Sequence, residues 1–474
     1  MSDGWTARER TRDLGELLAW LDGHINLEAR SIGAPPGPGG ALRTATPTRI
    51  RALLDASADP QTSYPIVHIT GTNGKTSTSR MVTSLLTAAQ LSVGTYTSPH
   101  LESVNERISG PPLGADRREH QRELSGSIPD ADLADQLRSL AGIEAILSIE
   151  GTPFRASWFE LVTAAAFRWF ADIAVDVAVI EAGLGGRFDT TNVADGLVAV
   201  ITNVELDHTE YLGPTREHIA RDKVGIVKPG AICVVGEEDP AIAALLEACA
   251  LDQGAEAVWL VDRDFACESN DPMVGGRLLT IRTPAARYEE VSLLLHGAHQ
   301  GANAAVAVAA TEAFLGIAAS EDVVMEGLGL VTSPGRLEIV ASDPLVVLDG
   351  AHNAHGAAAL GAALDEGFGR ASGRVVVFGC LGGHDPTDLL RALGPESIRL
   401  LVACAAPSPR AVPANQVADA SEALGIDTLV APSVADAIEM ALADSRSDEL
   451  VLVTGSLHVV GAARSVMANR SGLT

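Results

Sequence analysis

The apolar positions along the chain fall into two rhythms. Residues 11–30 place Leu14, Leu17, Leu18, Leu21 and Ile25 at helical spacing, and a Gly/Pro-rich loop follows from Gly33 to Gly40. A mainly apolar run, Pro65–Thr70, reads as a buried strand leading into a glycine-rich turn and a helix. Residues 109–155 are polar and acidic, which predicts a helical insertion or lid with exposed faces. Helical spacing returns from Ser157 to Phe170, and strands are expected at Val175–Ile180, Leu197–Thr202 and Ala231–Val235. After Ser333-Pro334-Gly335 the rhythm restarts. Strands at Leu345–Leu348, Arg374–Phe378, Leu400–Cys404, Thr428–Val430 and Leu450–Val453 alternate with helical stretches. That alternation predicts a parallel, doubly wound sheet. The expected class is therefore α/β in two units, 1–332 and 337–474, dividing near Thr332–Arg336, with no internal repeat.

Composition narrows the picture. A chain of 474 residues suits two or three domains and can bury a large core without disulfides. It has no uncharged apolar run of about 18 residues, so no membrane span is expected. The opening segment MSDGWTARERTRDLGE is polar, unlike a secretory leader. Five widely spaced cysteines (Cys233, Cys249, Cys267, Cys380, Cys404) form no C-x-x-C pair and read as reduced thiols of a cytoplasmic protein. With 61 acidic residues against 34 basic ones the net charge is −27, which argues against nucleic acid or anionic lipid as partners. Only three basic residues are lysines: Lys75, Lys223 and Lys228. Where arginine is the default cation, a retained lysine is a candidate for chemistry that a guanidinium cannot do. Codon bias is the plain alternative, and for Lys228 it stands equally well.

The stretch Ile66-Val67-His68-Ile69-Thr70-Gly71-Thr72-Asn73-Gly74-Lys75-Thr76 runs from strand through turn to helix. Glycines there let backbone amides face an anion, the helix start adds partial positive charge, and Lys75 adds a mobile cation. The full Walker pattern would need glycine where Ile69 stands, so only its G-x-x-G-K-T half is met. These residues predict a P-loop-type N-terminal domain that binds a nucleotide triphosphate, with the smaller Rossmann-like unit behind it.

These motifs, taken in order, resemble a known family. Thr70–Thr76 is followed by Thr97-Ser98-Pro99-His100-Leu101, Asn105-Glu106-Arg107-Ile108, Phe159-Glu160, and Glu181-Ala182-Gly183-Leu184-Gly185-Gly186-Arg187. Then come Thr191-Asn192, Leu206-Asp207-His208, Lys223-Val224-Gly225-Ile226, Asn303-Ala304 and Pro334-Gly335-Arg336, with Asp349-Gly350-Ala351-His352-Asn353 and Thr454-Gly455-Ser456-Leu457 last. Over residues 14 to 465 this is similar to folylpolyglutamate synthase/dihydrofolate synthase, of the Mur ligase superfamily.

The resemblance implies a cytoplasmic, monomeric ligase that joins L-glutamate to folate or dihydropteroate through an acyl phosphate, using ATP and two Mg²⁺ ions. It implies that Gly71, Thr72, Asn73, Gly74, Lys75 and Thr76, with Asn303, Arg336 and Asp349, contact ATP. Ser98 and Glu181 would hold one Mg²⁺, and His208 with a carbamylated Lys223 the second. Lys75, Lys223 and His208 are the expected catalytic residues. Only an amine can add CO₂ to form a carbamate, and burial would favour the neutral amine needed. His352 and Ser456 would hold glutamate, and Phe159 would meet the pterin ring, although by pattern alone it is a core aromatic.

Two rivals remain at this level: a Mur-type ligase for a cell-wall precursor or specialised metabolite, and a nucleotide-binding regulator without activity. Retention of Ser98, Glu181, His208 and Lys223 speaks against the second. One departure stands out. After Phe378 the family carries an Asp-Lys-Asp triplet, and here His384 falls at the lysine. It is expected either to hold an anionic substrate group or to belong to a surface turn before Pro386.

Overall fold

The computed structural model describes residues 7–26, 39–111, 126–149, 154–369 and 371–471. The first sheet has eight strands: β1 (Ile66–Thr70), β2 (Val93–Tyr96), β3 (Ile108–Gly110), β4 (Gly126–Ser127), β5 (Val177–Glu181), β6 (Val198–Ile201), β7 (Ile232–Val235) and β8 (Ala257–Leu260). Their order is β4-β3-β2-β5-β1-β6-β7-β8. From β2 to β8 all neighbours are parallel, and β3 and β4 add an antiparallel edge. The central strands are buried along their whole length, as a sheet covered on both faces requires.

One face packs on the helices Lys75–Ala88, Ala298–Leu315 and Glu321–Leu330, through Met81, Leu85, Val324 and the small side chains Ala304–Ala310. The other face carries the helices Ala7–Asp22, Gly39–Asp55, Asp130–Ile149 and Trp158–Asp172. A small antiparallel sheet, β9 (Ala266–Met273), β10 (Gly276–Arg282) and β11 (Arg287–Leu293), precedes the long alanine-rich helix.

Beyond Ser333–Arg336 a second sheet begins: β12 (Glu338–Ser342), β13 (Leu345–Leu348), β14 (Arg374–Phe378), β15 (Ile398–Ala403), β16 (Asp427–Val430) and β17 (Leu450–Thr454). The order is β12-β13-β17-β14-β15-β16, parallel except at β12. The expected α/β class with two mostly parallel sheets is what the chain adopts.

Several boundaries differ from the sequence reading. The first helix ends at Asp22, so Ile25 is not on its apolar face; it is half-exposed and pairs with Ser157. Residues 33–38 of the expected loop lie outside the described residues, and Gly39 and Gly40 already begin a helix. The acidic insertion is helical with an exposed face where it is described, as expected, but Asp130–Ile149 also buries Leu133, Leu137 and Leu140 against the core. Truncating one of these to alanine would cost about 2–5 kcal/mol. The small sheet β9–β11 was not expected at all. Its outer strands carry charged residues on both sides of the alternation, so no clean period of two is visible.

Candidate active site

Strands β5, β1 and β6 are neighbours, with Ile69 level with Glu181 and Thr70 level with Ile201. Their carboxyl ends therefore open side by side, where such sheets place ligands. β1 delivers the glycine loop. A Cβ on Gly71 would run into Thr202, and one on Gly74 would lie 2.5 Å from the Asn303 side-chain oxygen. Gly74 also has φ +80°, so glycine is required there twice over. The loop is laced to the end of β6. The Thr72 amide donates to the Asn203 carbonyl (3.0 Å) and the Asn73 amide to Asn203 Oδ1 (2.9 Å). Thr202 Oγ1 donates to the Asn73 carbonyl (2.6 Å). Lys75 lies back across this loop, its Nζ 3.0 and 3.1 Å from the carbonyls of Gly71 and Thr72.

Glu181 closes β5 and is 1% exposed. Its Oε1 accepts from Thr76 Oγ1 (3.1 Å) and its Oε2 from the Ser98 amide (3.3 Å). Burial pushes its carboxyl up to about 7 against the pull of Lys75 and these donors. Lys223 ends a short helix, Arg216–Lys223, that Thr215 caps through the His218 amide. The lysine is 3% exposed and donates to the Gly71 carbonyl (2.6 Å). Burial, with Lys75 adding to it, lowers its amine to about 7. Lys75, Glu181, Ser98, Thr76 and Lys223 thus lie together at the glycine loop and the end of β5. Lys228 does not: it donates to the Asn192 carbonyl (2.9 Å) and faces Asp195 at 3.7 Å.

His208 stands seven residues past β6, in a left-handed conformation (φ +48°). Burial lowers its imidazole pKa. Beside it Asp207 is buried and sits 3.8 Å from His208 Nε2 and 3.7 Å from His384 Nε2. Burial disfavours the Asp207 charge, yet His208, His352, His384 and the Asn353 amide outweigh it and hold the carboxyl down at about 2. His384 lies in the turn before Pro386, and from there its ring reaches Asp207. Asn353 joins the two halves: its Nδ2 lies 3.1 Å from Asp207 Oδ2 and 3.0 Å from Asn73 Oδ1. His352 donates from Nδ1 to the Gly350 carbonyl (2.9 Å), and burial lowers its pKa to about 4, leaving Nε2 an acceptor.

The remaining expected residues are arranged around this centre. Asn303 donates to Gln300 and borders Gly74. Arg336 lies beside Asp349, whose oxygens accept from the Leu337 and Ala351 amides at 2.9 and 2.8 Å. Ser456 is buried at the end of β17. Phe159 is half-buried, 2.5 Å from where a Gly183 Cβ would stand, next to Glu181. Asp207, Asn353 and Asn203 were not expected as site residues. The first two lie within recognised motifs, and Asn203 stands just past the end of β6 as Gly71 stands past β1, a position that was the available signal.

Among the described residues no group of three or more His, Cys, Asp or Glu side chains could hold a metal by itself. The donor set at Glu181 is one carboxylate that accepts from the Thr76 hydroxyl and from the backbone amide of Ser98, the residue whose hydroxyl would complete it. That suits Mg²⁺, which takes hard oxygens, needs only one or two carboxylates, and fills its shell with water and phosphate. For a second ion, His208 and an unmodified Lys223 supply too little negative charge, so the fit depends on the carbamate.

Comparison with known proteins identifies the family. Residues 160–311 match the Mur ligase middle domain and residues 335–457 the Mur ligase glutamate ligase domain. A dihydrofolate synthase/folylpolyglutamate synthase from Mycobacterium tuberculosis is 39% identical over 88% of this chain and 89% of its own. The chain belongs to the folylpolyglutamate synthase/dihydrofolate synthase family. The M. tuberculosis folylpolyglutamate synthase solved with ADP superposes with a TM-score of 0.85 at 36% identity, over 97% of this chain and 99% of that one. A solved FPGS–AMPPCP–folate complex matches with a TM-score of 0.79 at 28% identity, over 96% and 99% of the two chains. No described helix is long and apolar enough to cross a membrane.

Proposed function

We propose that this ligase joins L-glutamate to the carboxylate of a folate-type acceptor, dihydropteroate or a reduced folate, while ATP is cleaved to ADP and phosphate. The observation that carries the reading is the junction at Asn353. It ties Asn73 of the phosphate loop and Asp207 to the end of the second sheet that bears His352 and Ser456. Phosphate chemistry and amino-acid capture thereby share one cleft.

In the first step the acceptor carboxylate attacks the γ-phosphorus, the bond to the β-phosphate oxygen breaks, and ADP leaves. The glutamate ammonium gives up a proton to solvent, and the free amine attacks the acyl phosphate carbon, expels phosphate and loses its second proton to solvent as the amide forms. The loop amides and Lys75 hold the phosphates, and their charge is worth most where it develops in transfer. Asn303, Arg336 and Asp349 border the nucleotide. Thr76, Ser98 and Glu181 would hold one Mg²⁺, and His208 with carbamylated Lys223 a second, supplying neutralisation of phosphate oxygens. The Phe159 ring, set by Gly183, receives the acceptor's ring system. Asp207, kept ionised, attracts the glutamate ammonium, while His352, His384 and Ser456 orient the amino acid. The same proposal divides the chain into units 1–332 and 337–474 and takes the enzyme as a cytoplasmic monomer without nucleic-acid or membrane partners.

Phosphate release with ATP and glutamate, scanned over dihydropteroate, dihydrofolate and tetrahydrofolate, tests it. Release that requires one of these acceptors is the expected result. Release with none of them would remove the folate reading.

A further inference from the structure

The segment that bears Ser98 is only partly held by its own sheet. The Thr97 amide donates to the Arg107 carbonyl (2.9 Å) and the Ser98 amide to Glu181 (3.3 Å), but the turn that follows leaves the strands. Glu106 gathers that turn from within: its carboxylate accepts the amides of Leu101 (2.9 Å), Glu102 (2.9 Å) and Ser103 (2.8 Å). Its outer side is covered by the helix Leu457–Ser471, which belongs to the second sheet.

That contact is close. The helix backbone rests on Leu101 at Gly461, and a Cβ there would run into the Leu101 carbonyl. One turn on, Arg464 reaches Glu102 through Nη1 (2.6 Å) and Glu338 through Nε (3.0 Å), and Ser465 Oγ donates to Glu102 (2.5 Å). At its other end the same helix starts directly after Ser456, and Leu457 packs against Gly350. Ser456 and Gly461 are about 8 Å apart along the helix axis. One rod therefore touches the amino-acid end of the cleft with its first turn and the Ser98 loop with its next two.

We propose that Gly461 and the Glu102–Arg464 pair are positioning residues that set Ser98 for the nucleotide-bound metal, so that the loop is in register only when the second sheet is docked. This rests on the reading of Ser98 as a Mg²⁺ ligand. A purely adhesive contact would change melting temperature without changing the metal requirement, and its cost would not depend on Ser98.

The test is a double-mutant cycle on the full chain: Gly461→Ala, Ser98→Ala and both. Its readouts are the Mg²⁺ concentration for half-maximal phosphate release, the glutamate KM and the melting temperature. Gly461→Ala should raise the Mg²⁺ requirement about tenfold with glutamate KM within about twofold, and should add less than about twofold once Ser98 is gone. Glu102→Ala should shift the requirement in the same direction, and Glu102→Gln, which keeps the hydrogen bonds, should restore it. If Gly461→Ala does not fold, the Glu102 pair carries the same cycle. Equal effects with and without Ser98 would overturn the proposal, as would an unchanged Mg²⁺ requirement while Ser98→Ala alone raises it. An unchanged requirement in Ser98→Ala itself would instead overturn the metal reading of Ser98, and the proposal with it.

Discussion

Lys75 touches the loop it serves through its ammonium and contributes nothing to a core, which separates its chemistry from its stability. Lys75→Ala should lower turnover by about 10²–10³-fold while melting stays native-like, since it removes one preorganised cation from the phosphates. A near-native rate would show the loop to be structural. Lys223 is different, because its environment selects a protonation state. With its amine at about 7, the neutral form that adds CO₂ grows as pH rises through that value. At constant dissolved CO₂ the carbamate signal in ¹³C spectra should rise with pH through about 7. Lys223→Arg keeps the charge but cannot form the carbamate, and should lose about 10–100-fold in Mg²⁺ affinity or rate. Acetate should partly rescue Lys223→Ala, and full activity of the arginine variant would end the idea. The scarcity of lysine pointed to both residues in advance. It could not reveal Asp207 and Asn353, whose contact spans 146 positions and exists only once the two sheets meet.

At the scale of elements, the legible parts were those whose burial repeats along the chain. β1, β5, β6 and the parallel strands of the second sheet are short, mainly apolar segments that could be read to within a residue or two, whereas the antiparallel edge strand β12, with Glu338 and Ser342 at its ends, was not expected. The first helix was misjudged at its end for a local reason. Past Asp22 the chain turns, and His24 takes over. It is buried under Trp20, with Nδ1 on the Trp20 carbonyl (2.9 Å) and Nε2 on Glu144 (3.0 Å). Burial opposes its charge, but Glu144 and the two helix carbonyls of Trp20 and Leu21 outweigh it, raising the imidazole above its ordinary value. A raised folded value means stability that is complete below about pH 6.5 and is lost as pH climbs through the folded pKa. The melting temperature should therefore fall between about pH 6 and 8, and His24→Gln should flatten that fall. Parallel curves for both proteins would show that the pair is not felt.

Among the described residues, side-chain contacts between the second sheet's unit and the rest of the chain include three bridges. Asn353 binds Asn73 and Asp207, Arg464 binds Glu102, and Arg277 of the small sheet binds Glu366. The connecting segment lies among these contacts, with the Gly335 carbonyl accepting from the Gly350 amide (2.9 Å). Ligands on either side should then reinforce each other. Nucleotide and acceptor together should protect residues 330–340 from hydrogen exchange more than either alone. Equal protection by each would indicate a rigid arrangement. A parallel sheet on each side of Ser333-Pro334-Gly335 was foreseeable from the repeat of strand and helix. The bridges themselves were not, because each pairs residues whose sequence neighbours give no sign of a distant partner.

The distribution of the three lysines has a practical side. Two sit in the cleft and the third faces Asp195 away from it. Of the side-chain amines of this chain, two of three therefore report on the reaction centre. Reductive methylation with ¹³C-formaldehyde would give only three lysine resonances, few enough to assign by single substitutions. Because the Lys223 amine is buried and reacts slowly, its peak is compared with and without added CO₂: a loss that appears only with CO₂ counts carbamylated molecules. Most proteins of this size carry too many lysines for such a measurement; here the arginine-rich surface leaves the background clear.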